Sequence, residues 1–207
     1  MASNNPEALQ DDELIPESVE GYHVGEKKTI EEYTKLDAED ESLAKWKASL
    51  GLSDNSNAYP VKAGDKRKVV IVEMSLQFPN QPELQPIVID LEDAQGNTIA
   101  GKEIKFSIKE KSVYQFVIKF RVQHEIITGL KYLHSIKKTG IRVDKLEEPL
   151  GSYAPNTKEK PYYEKVFSEV EAPSGMLARG GYSATTKFVD DDKNVHLSFP
   201  WSFQITK

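Results

Sequence analysis

The last strand-like segment of the chain constrains the fold most strongly. Between residues 195 and 205 apolar side chains occupy every second position, and polar residues or proline stand between them. The apolar positions are Val195, Leu197, Phe199, Trp201, Phe203 and Ile205. A period of two is typical of a β-strand with one buried and one solvated face, because successive side chains of a strand point to opposite sides. The segment therefore predicts a strand that lays an aromatic face on a core.

Pro200 lies inside this segment. Proline has no backbone N–H and cannot donate a hydrogen bond to a neighbouring strand. We therefore expect the strand to lie at a sheet edge, or to have its amide side unpaired at that position.

The same alternation recurs upstream, over several short runs separated by Pro, Gly and Asn turn signals. Four further strands are predicted from Val70, Val72, Met74, Leu76 and Phe78, from Ile87, Ile89 and Leu91, from Ile104, Phe106 and Ile108, and from Tyr114, Phe116, Ile118, Phe120 and Val122. More short strands are expected around residues 126–136, 140–146, 165–170 and 182–189. Eight or nine strands without helices between them predict a mainly β fold, an immunoglobulin-like antiparallel β-sandwich over residues 58–207.

Two short helical segments precede the strands, and together they form a predicted arm over residues 26–57. Their apolar stripes are Ile30, Tyr33 and Leu36, and then Leu43, Trp46 and Leu50, with Gly51 as the C-cap. Isolated helices shorter than roughly 12 to 15 residues are marginal in water. We therefore expect this arm to be unstructured alone and to order on a surface.

Acidic charge is concentrated at the N-terminus. Residues 1–22 contain six of the 33 acidic residues and none of the 27 basic ones, so this segment carries the whole net charge of −6. A polar, acidic segment with almost no aromatics cannot bury enough apolar surface to offset its ordering entropy, which predicts a disordered tail over residues 1–25. Such a tail either only solubilises the protein or meets a basic partner.

Several classes of function find no support in the sequence. There is no cysteine nucleophile or G-x-S-x-G motif, and the four histidines are too far apart to form a metal site. Residues 190–192 are three aspartates without the remaining ligands of a calcium loop, so a solvated acidic turn is favoured. The net negative charge disfavours nucleic-acid binding. We expect no enzyme activity, no metal and no cofactor, and, since no apolar run is long enough for a membrane span, a cytoplasmic protein.

The aromatic inner face allows two interpretations. Alternation of this kind usually marks core residues. A sandwich can also splay at one end and leave an apolar pocket, which is the usual form of a ligand site. The side chains that would converge there are Leu76, Phe106, Tyr114, Ile126, Leu177, Phe199 and Trp201.

The C-terminal third resembles the Rho GDP-dissociation inhibitors. The resemblance rests on Gly-Met-Leu-Ala-Arg-Gly at residues 175–180, Asp-Asp-Asp-Lys at 190–193 and His-Leu-Ser-Phe-Pro-Trp at 196–201. Residues 36–43 look like the arm motif of that family, and similar segments occur at 120–126, 129–132, 143–145 and 151–153. The likeness covers nearly the whole chain from Tyr22 onward. Ala184 stands where family members carry a larger aliphatic residue.

The resemblance implies a function that needs two devices. Members bind Rho-family small GTPases that carry a geranylgeranyl group, withdraw them from membranes and slow GDP release. The seven apolar residues above would then line a pocket for the isoprenyl lipid. Asp40, Ser42 and Leu43 of the arm would contact the switch regions, while Asp191, Asp192 and Glu171 would face the GTPase surface or its basic tail. The resemblance implies a monomer that forms a 1:1 heterodimer with the GDP-bound GTPase and meets membranes only transiently.

Two other interpretations remain open from the residues. A general carrier of prenylated or acylated proteins would use the same sandwich and would not need the arm. An interaction module with a filled core would bind no lipid at all.

Overall fold

The computed structural model describes residues 14–16, 32, 57–99 and 104–207, and this part of the chain is built from β-strands. The strands are β1 Val69–Gln77, β2 Ile87–Asp90, β3 Lys105–Lys109, β4 Val113–Val122, β5 Ile127–Lys138, β6 Ile141–Tyr153, β7 Tyr163–Val166, β8 Val170–Glu171, β9 Gly180–Val189 and β10 Val195–Thr206. Apart from Glu32 and Asn57, the predicted helical arm lies outside the described residues, as does nearly all of the predicted acidic tail.

Two five-stranded sheets form the fold. One has the order β2-β1-β4-β7, with β8 also paired to β4, and the other has the order β3-β10-β9-β5-β6. All pairs are antiparallel except β3 with β10, which run parallel from Ser202 opposite Lys105 to Thr206 opposite Lys109. Inward side chains of both sheets form one hydrophobic cluster. The mainly β sandwich predicted from the alternation is confirmed, and the structure adds one parallel pair to it.

Strand β4 follows the predicted alternation. Phe116, Ile118, Phe120 and Val122 belong to the core, and Tyr114 packs against it. The C-terminal half of β10 also follows the prediction, since Phe199, Trp201, Phe203 and Ile205 are all buried. Val195, at the start of β10, is 55% exposed, so the apolar face is shorter than the sequence pattern.

The alternation predicted for β1 is wrong in its first half. Val69 and Ile71 lie in the core instead of Val70 and Val72, whereas Met74 and Leu76 point inward as expected. The pairing with β4 shifts register between Ile71 and Glu73. An extra residue at such a bulge moves the side chains before it to the other face of the strand.

Strand β10 is not an edge strand, because it lies between β3 and β9. The Ser202 N–H donates to the Ile104 carbonyl at 2.9 Å, so it points toward β3. Amides two residues apart on a strand point the same way, and the nitrogen of Pro200 therefore also faces that side. The described register with β3 begins at Ser202 opposite Lys105. The residues that would lie opposite Pro200 fall outside the described part of the chain, so the second expectation for this proline, an unpaired amide side, stays a prediction.

Candidate functional site

A group of apolar side chains between the sheets is only partly buried, although it packs against the core. This group comprises Ile104, Phe106, Tyr114, Ile136 and Leu146. Two of its members lie near Trp201. Phe106 stacks on the Trp201 ring at 5.4 Å between centroids, and Ile136 pairs with Ala184, which in turn pairs with Trp201. The interior of the sandwich therefore reaches solvent beside Trp201.

Fully buried side chains form the floor beneath this opening. Leu76 is 0% exposed, Phe199 1% and Trp201 4%. Phe116 meets the Trp201 ring edge-on at 6.1 Å, and Tyr114 meets Phe116 edge-on at 5.7 Å. Rings fixed edge-to-face and stacked in this way are rigid, because each restricts the rotamers of its neighbours. The arrangement suits a long apolar ligand lying on an aromatic floor.

A line of buried hydrogen bonds crosses the inner face behind the floor. The Trp201 indole N–H donates to Thr186 Oγ1 at 2.9 Å, and the Tyr132 hydroxyl lies 3.4 Å from Thr186 Oγ1 and 3.1 Å from His134 Nδ1. His134 Nε2 lies 3.0 Å from Asp144 Oδ2. A carboxylate can only accept, so Nε2 carries the proton and Nδ1 accepts from Tyr132. This line holds the Trp201 ring in place and reaches solvent at Asp144, whose side chain is 56% exposed.

Burial shifts the pKa values of two tyrosines and two histidines of the sandwich. Desolvation raises the pKa values of Tyr132 and Tyr114. It lowers the pKa of His134 below its usual 6.5, although the Asp144 carboxylate opposes the shift. It lowers the pKa of His196 in the same way against the opposing effect of Asp190. Both imidazoles therefore resist protonation in the folded state.

These histidines predict that stability falls on acidification. Where the pKa of a histidine is lower in the folded state than in the unfolded state, the unfolded state binds more protons. The contribution of such a histidine to the free energy of unfolding is therefore fully present above about pH 6.5, and it is lost as the pH falls toward the pKa of the folded state. We expect His134→Gln to weaken this dependence without removing it, because His196 remains. Urea unfolding curves recorded at several pH values around the pKa of histidine measure this dependence of the free energy of unfolding on pH. A parent-like slope in His134→Gln would contradict the assignment to His134.

The loop between β8 and β9 places the predicted pocket residue Leu177 outside the cluster. Leu177 is 94% exposed and Met176 is 87% exposed. Lys138 Nζ donates to the carbonyls of Leu177, Ala178 and Arg179 at 2.7 to 2.9 Å. These bonds hold the loop with its two long apolar side chains in solvent.

The other side of this loop is held by Glu110. Its carboxylate accepts hydrogen bonds from the Gly175 amide at 2.9 Å and from Arg179 Nη2 at 2.7 Å. The Arg179 hydrogen bond, with that of the Gly175 amide, lowers the pKa of Glu110 to about 2. Arg179 thus acts as a structural anchor of the loop.

Ile126 is another predicted pocket residue that lies outside the cluster. It is half-buried just before β5, whereas the next residue, Ile127, is 1% exposed and belongs to the core. The sequence has two adjacent isoleucines here. Which of them is buried depends on where β5 begins, and the sequence pattern does not show that.

The acidic segment 190–194 is a structured turn. Asp190 is 3% exposed; its carboxylate accepts from the Asn194 amide at 2.9 Å and lies 3.0 Å from His196 Nε2. The Asp191 amide donates to the Thr128 carbonyl at 3.1 Å, and the side chain of Asp191 packs on Gly129, where any Cβ would collide with the carboxylate. Gly129 has a φ of 57°, which also favours glycine. Asp191 is therefore held in a fixed place by β5.

Other predicted contact residues fall in different places. Glu171 is exposed on β8, opposite Val113. Asp40, Ser42 and Leu43 lie outside the described residues.

A polar surface pocket of about 400 Å³ lies elsewhere, in the loops before β1 and after β2. It is lined by Lys62, Ala63, Gly64, Asp65, Arg67, Gly96, Asn97 and Thr98. None of these residues belongs to the apolar opening beside Trp201. Arg67 already pairs with Asp65 at 2.6 Å and with Glu92 at 3.2 Å, so its guanidinium charge is already compensated.

The described residues contain no group of three or more His, Asp or Glu side chains placed to hold a metal ion. Among the same residues, no helix has the length and apolarity that crossing a bilayer requires.

Some residues of the opening were missed by the sequence reasoning. Ile136 is partly buried on the inner face of β5, and Tyr182 stacks on Phe203 at 4.8 Å beside the Phe106 ring. Lys138 Nζ lies over the Tyr182 ring at 4.6 Å. Their apolar alternation was visible, but nothing in it showed which end of each strand stays open.

Comparisons with known proteins agree with the geometry. A family model described as RHO protein GDP dissociation inhibitor matches residues 7–207. The chain is 55% identical over 188 residues to the Rho GDP-dissociation inhibitor of Saccharomyces cerevisiae, covering 90% of both chains. It is 45% identical over 204 residues to the Schizosaccharomyces pombe protein of the same name, covering 99% of this chain and 93% of that one. It is 36% identical over 212 residues to human Rho GDP-dissociation inhibitor 1, covering 100% and 98%.

Proposed function

The chain belongs to the Rho GDP-dissociation inhibitor family, and from this membership we propose that it binds geranylgeranylated Rho-family small GTPases in their GDP state. It slows the release of GDP and withdraws the GTPase from membranes into the cytosol, where the protein itself resides as a monomer that forms a 1:1 complex. It is a regulatory inhibitor and not an enzyme. The observation that carries the lipid part of this proposal is the partly buried apolar group around Trp201.

The lipid enters beside Trp201 and lies on the floor formed by Leu76, Phe199 and Trp201. Phe106 and Tyr114 form its walls, and both are only partly buried. Leu177 and Ile126 complete the pocket as the family resemblance implies. Leu177 stands in solvent in the structure, so it reaches the lipid only if the loop held by Lys138 and Glu110 moves inward.

The pocket alone does not suffice for extraction. Burying a prenyl chain gains about 0.8 kcal/mol per CH₂ relative to water, but the membrane offers nearly the same gain. Contacts between the two proteins must therefore supply the additional free energy that favours the complex over the membrane-bound GTPase. Asp40, Ser42 and Leu43 of the arm supply contacts to the switch regions, and holding those regions closed slows nucleotide exit, because they must open for release.

An acidic surface supplies the remaining contacts. Asp191, fixed on Gly129, and the neighbouring Asp192 face the body of the GTPase, and Glu171 meets its basic tail. Complementary charges of this kind mainly accelerate encounter and fix orientation. Their contribution should accordingly fall with salt.

Extraction of a geranylgeranylated, GDP-bound Rho-type GTPase from liposomes tests the two devices separately. The full chain should extract the GTPase, and the double variant Asp40→Ala, Ser42→Ala should extract it poorly while binding a free geranylgeranyl peptide as well as the parent does. Equal extraction by both would identify a general lipid carrier instead. No binding of the prenyl peptide by either would mean that the apolar face is only a core.

Ala184→Leu tests whether the space beside Trp201 is open. Ala184 is 4% exposed on the inner face of β9, between Ile136 and Trp201. If the neighbouring space is empty, the larger side chain enters it with no loss of stability. Because the family resemblance places a larger aliphatic residue at this position, we expect affinity for the geranylgeranyl peptide to be largely kept.

The control for this variant is Ala172→Leu, at a residue of the same core that is 0% exposed. Overpacking there should cost about 1 to 3 kcal/mol of unfolding free energy. If Ala184→Leu costs as much as this control, the site is a filled core. Urea unfolding and fluorescence titration with the peptide supply both readouts.

A further inference from the structure

Leu14, from the segment predicted to be a disordered tail, is buried on the outside of the sandwich. It is 0% exposed and forms a small cluster with Leu133 of β5 and Val189 of β9, separate from the main core. Lys187 Nζ donates to the Leu14 carbonyl at 3.1 Å. One apolar side chain and one backbone group of the tail are therefore held by the outer face of the β5–β9 pair.

This outer face is buried more deeply than a solvated sheet face. Leu133 is 0% exposed, Val189 2% and Ser135 2%. Side chains on the outer face of an exposed sheet are normally in solvent. The burial of these three residues thus marks a covered patch.

The covered patch lies on a predominantly basic face. Its cross-strand partners place five cations on this side of β5, β6 and β9, against the single acid Glu147: Lys131, Lys137, Arg142, Lys145 and Lys187. Glu147 pairs with Lys131 at 3.0 Å. The face therefore keeps a net positive charge.

The sequence around Leu14 complements this face. Asp11, Asp12 and Glu13 precede it and Glu17 follows Pro16, with no basic residue in the first 22 positions. Pro16 restricts Ile15 to extended conformations, so the segment enters the site with less conformational entropy to lose. Ile15 is 62% exposed, which leaves Leu14 as the anchor.

We propose that the outer face of the β5–β9 pair is an intramolecular docking site for the acidic segment of residues 11–17. Leu14 inserts between Leu133 and Val189, Lys187 binds the Leu14 carbonyl, and the basic face receives the surrounding carboxylates. A cationic segment of another protein that binds these acids has to compete with the chain's own sandwich. The docking itself concerns the free chain and is independent of the proposed GTPase function.

Paramagnetic relaxation measurements on the full chain test this site. The protein has no cysteine, so Ser18→Cys gives a single attachment point for a nitroxide, four residues from Leu14 and within about 14 Å of it. We expect broadening of the Leu133, Lys187 and Val189 amide signals and little effect on Val88 of β2, in the other sheet.

Matched variants identify the anchor. Leu14→Asp should reduce the ratio of docked to undocked chain about tenfold or more, because the burial of a leucine side chain is lost. Ile15→Asp adds the same charge at the exposed neighbour and should leave the broadening in place. Uniform broadening, or equal broadening in Leu14→Asp and the parent, would overturn the proposal.

A mixed sample separates docking within one chain from docking between two. Nitroxide-labelled chain without isotope is combined with isotope-labelled chain without nitroxide. The intramolecular site predicts no broadening in the mixture. Broadening of Leu133 and Val189 there would assign the site to a second copy and reject the proposal.

Discussion

Replacing Trp201 with alanine should lower the free energy of unfolding by about 3 to 5 kcal/mol, as large-to-small changes in protein cores do. Trp201 is 4% exposed and contacts Phe106, Phe116 and Phe203 through their rings, with centroids 5.4 to 6.1 Å away. Its indole N–H is also the start of the hydrogen-bond line through Thr186. Removing the indole leaves a cavity between the sheets. It also removes the N–H group that donates a hydrogen bond to Thr186 Oγ1.

Trp201→Phe separates these two contributions. It keeps a ring between Phe106 and Phe116 but loses the 2.9 Å hydrogen bond to Thr186, and we expect a smaller loss, of which about 1 kcal/mol reflects the hydrogen bond. Urea unfolding gives both values. Under conditions where both variants stay folded, binding of the geranylgeranyl peptide should be lost in Trp201→Ala and largely kept in Trp201→Phe. Equal stability of Trp201→Ala and the parent would show that the Trp201 ring is not part of the core.

The strands that could be predicted from sequence are those with one consistently buried face. In β4 and in the C-terminal half of β10, every second side chain lies in the same core. The apolar alternation in the sequence therefore predicts these strands correctly. The bulge in β1 is different. Val69, Val70 and Ile71 are all β-branched and all buried, so no polar residue marks the register shift, and the alternation was assigned to the wrong face.

The candidate site was predicted only as a set of inward aromatics. The sequence cannot distinguish a filled core from an open slot, because exposure at a strand end depends on how far the sheets separate. Leu177 is an example. The family resemblance predicts it in the pocket, yet Lys138 and Glu110, distant in sequence, hold its loop outward.

Leu14 shows the opposite case. Its acidic surroundings predict disorder, and only the folded outer face of β5 and β9 provides the apolar contact that buries it. Arg121 is similar, since its alternation with the apolar side chains of β4 predicts a side chain in solvent. It is 9% exposed because Tyr59 and Tyr162 lie near its guanidinium, with ring centroids 5.5 and 5.7 Å away.

Arg121 leads to the second large expected effect, a loss of about 3 to 5 kcal/mol of unfolding free energy in Glu92→Leu. Arg121 Nη2 donates to both carboxylate oxygens of Glu92 at 2.8 and 2.7 Å, and the two side chains are 11% and 6% exposed. Arg121 Nε has no hydrogen-bond partner among the residues that the structure describes. Removing the carboxylate would leave a buried guanidinium without its counter-charge, which costs more than the pair itself contributes.

The double variant Glu92→Leu, Arg121→Leu provides the decisive comparison. It removes both buried charges, so it should recover much of the stability that Glu92→Leu loses. Arg67, the other partner of Glu92, keeps Asp65 at 2.6 Å and is not orphaned. Urea unfolding of the two variants measures the difference, and a double variant no more stable than Glu92→Leu would contradict this explanation. Because Tyr59 lies beside Arg121 where the predicted arm joins the sandwich, we also expect Glu92→Leu to loosen this junction and weaken GTPase extraction more than binding of the free prenyl peptide.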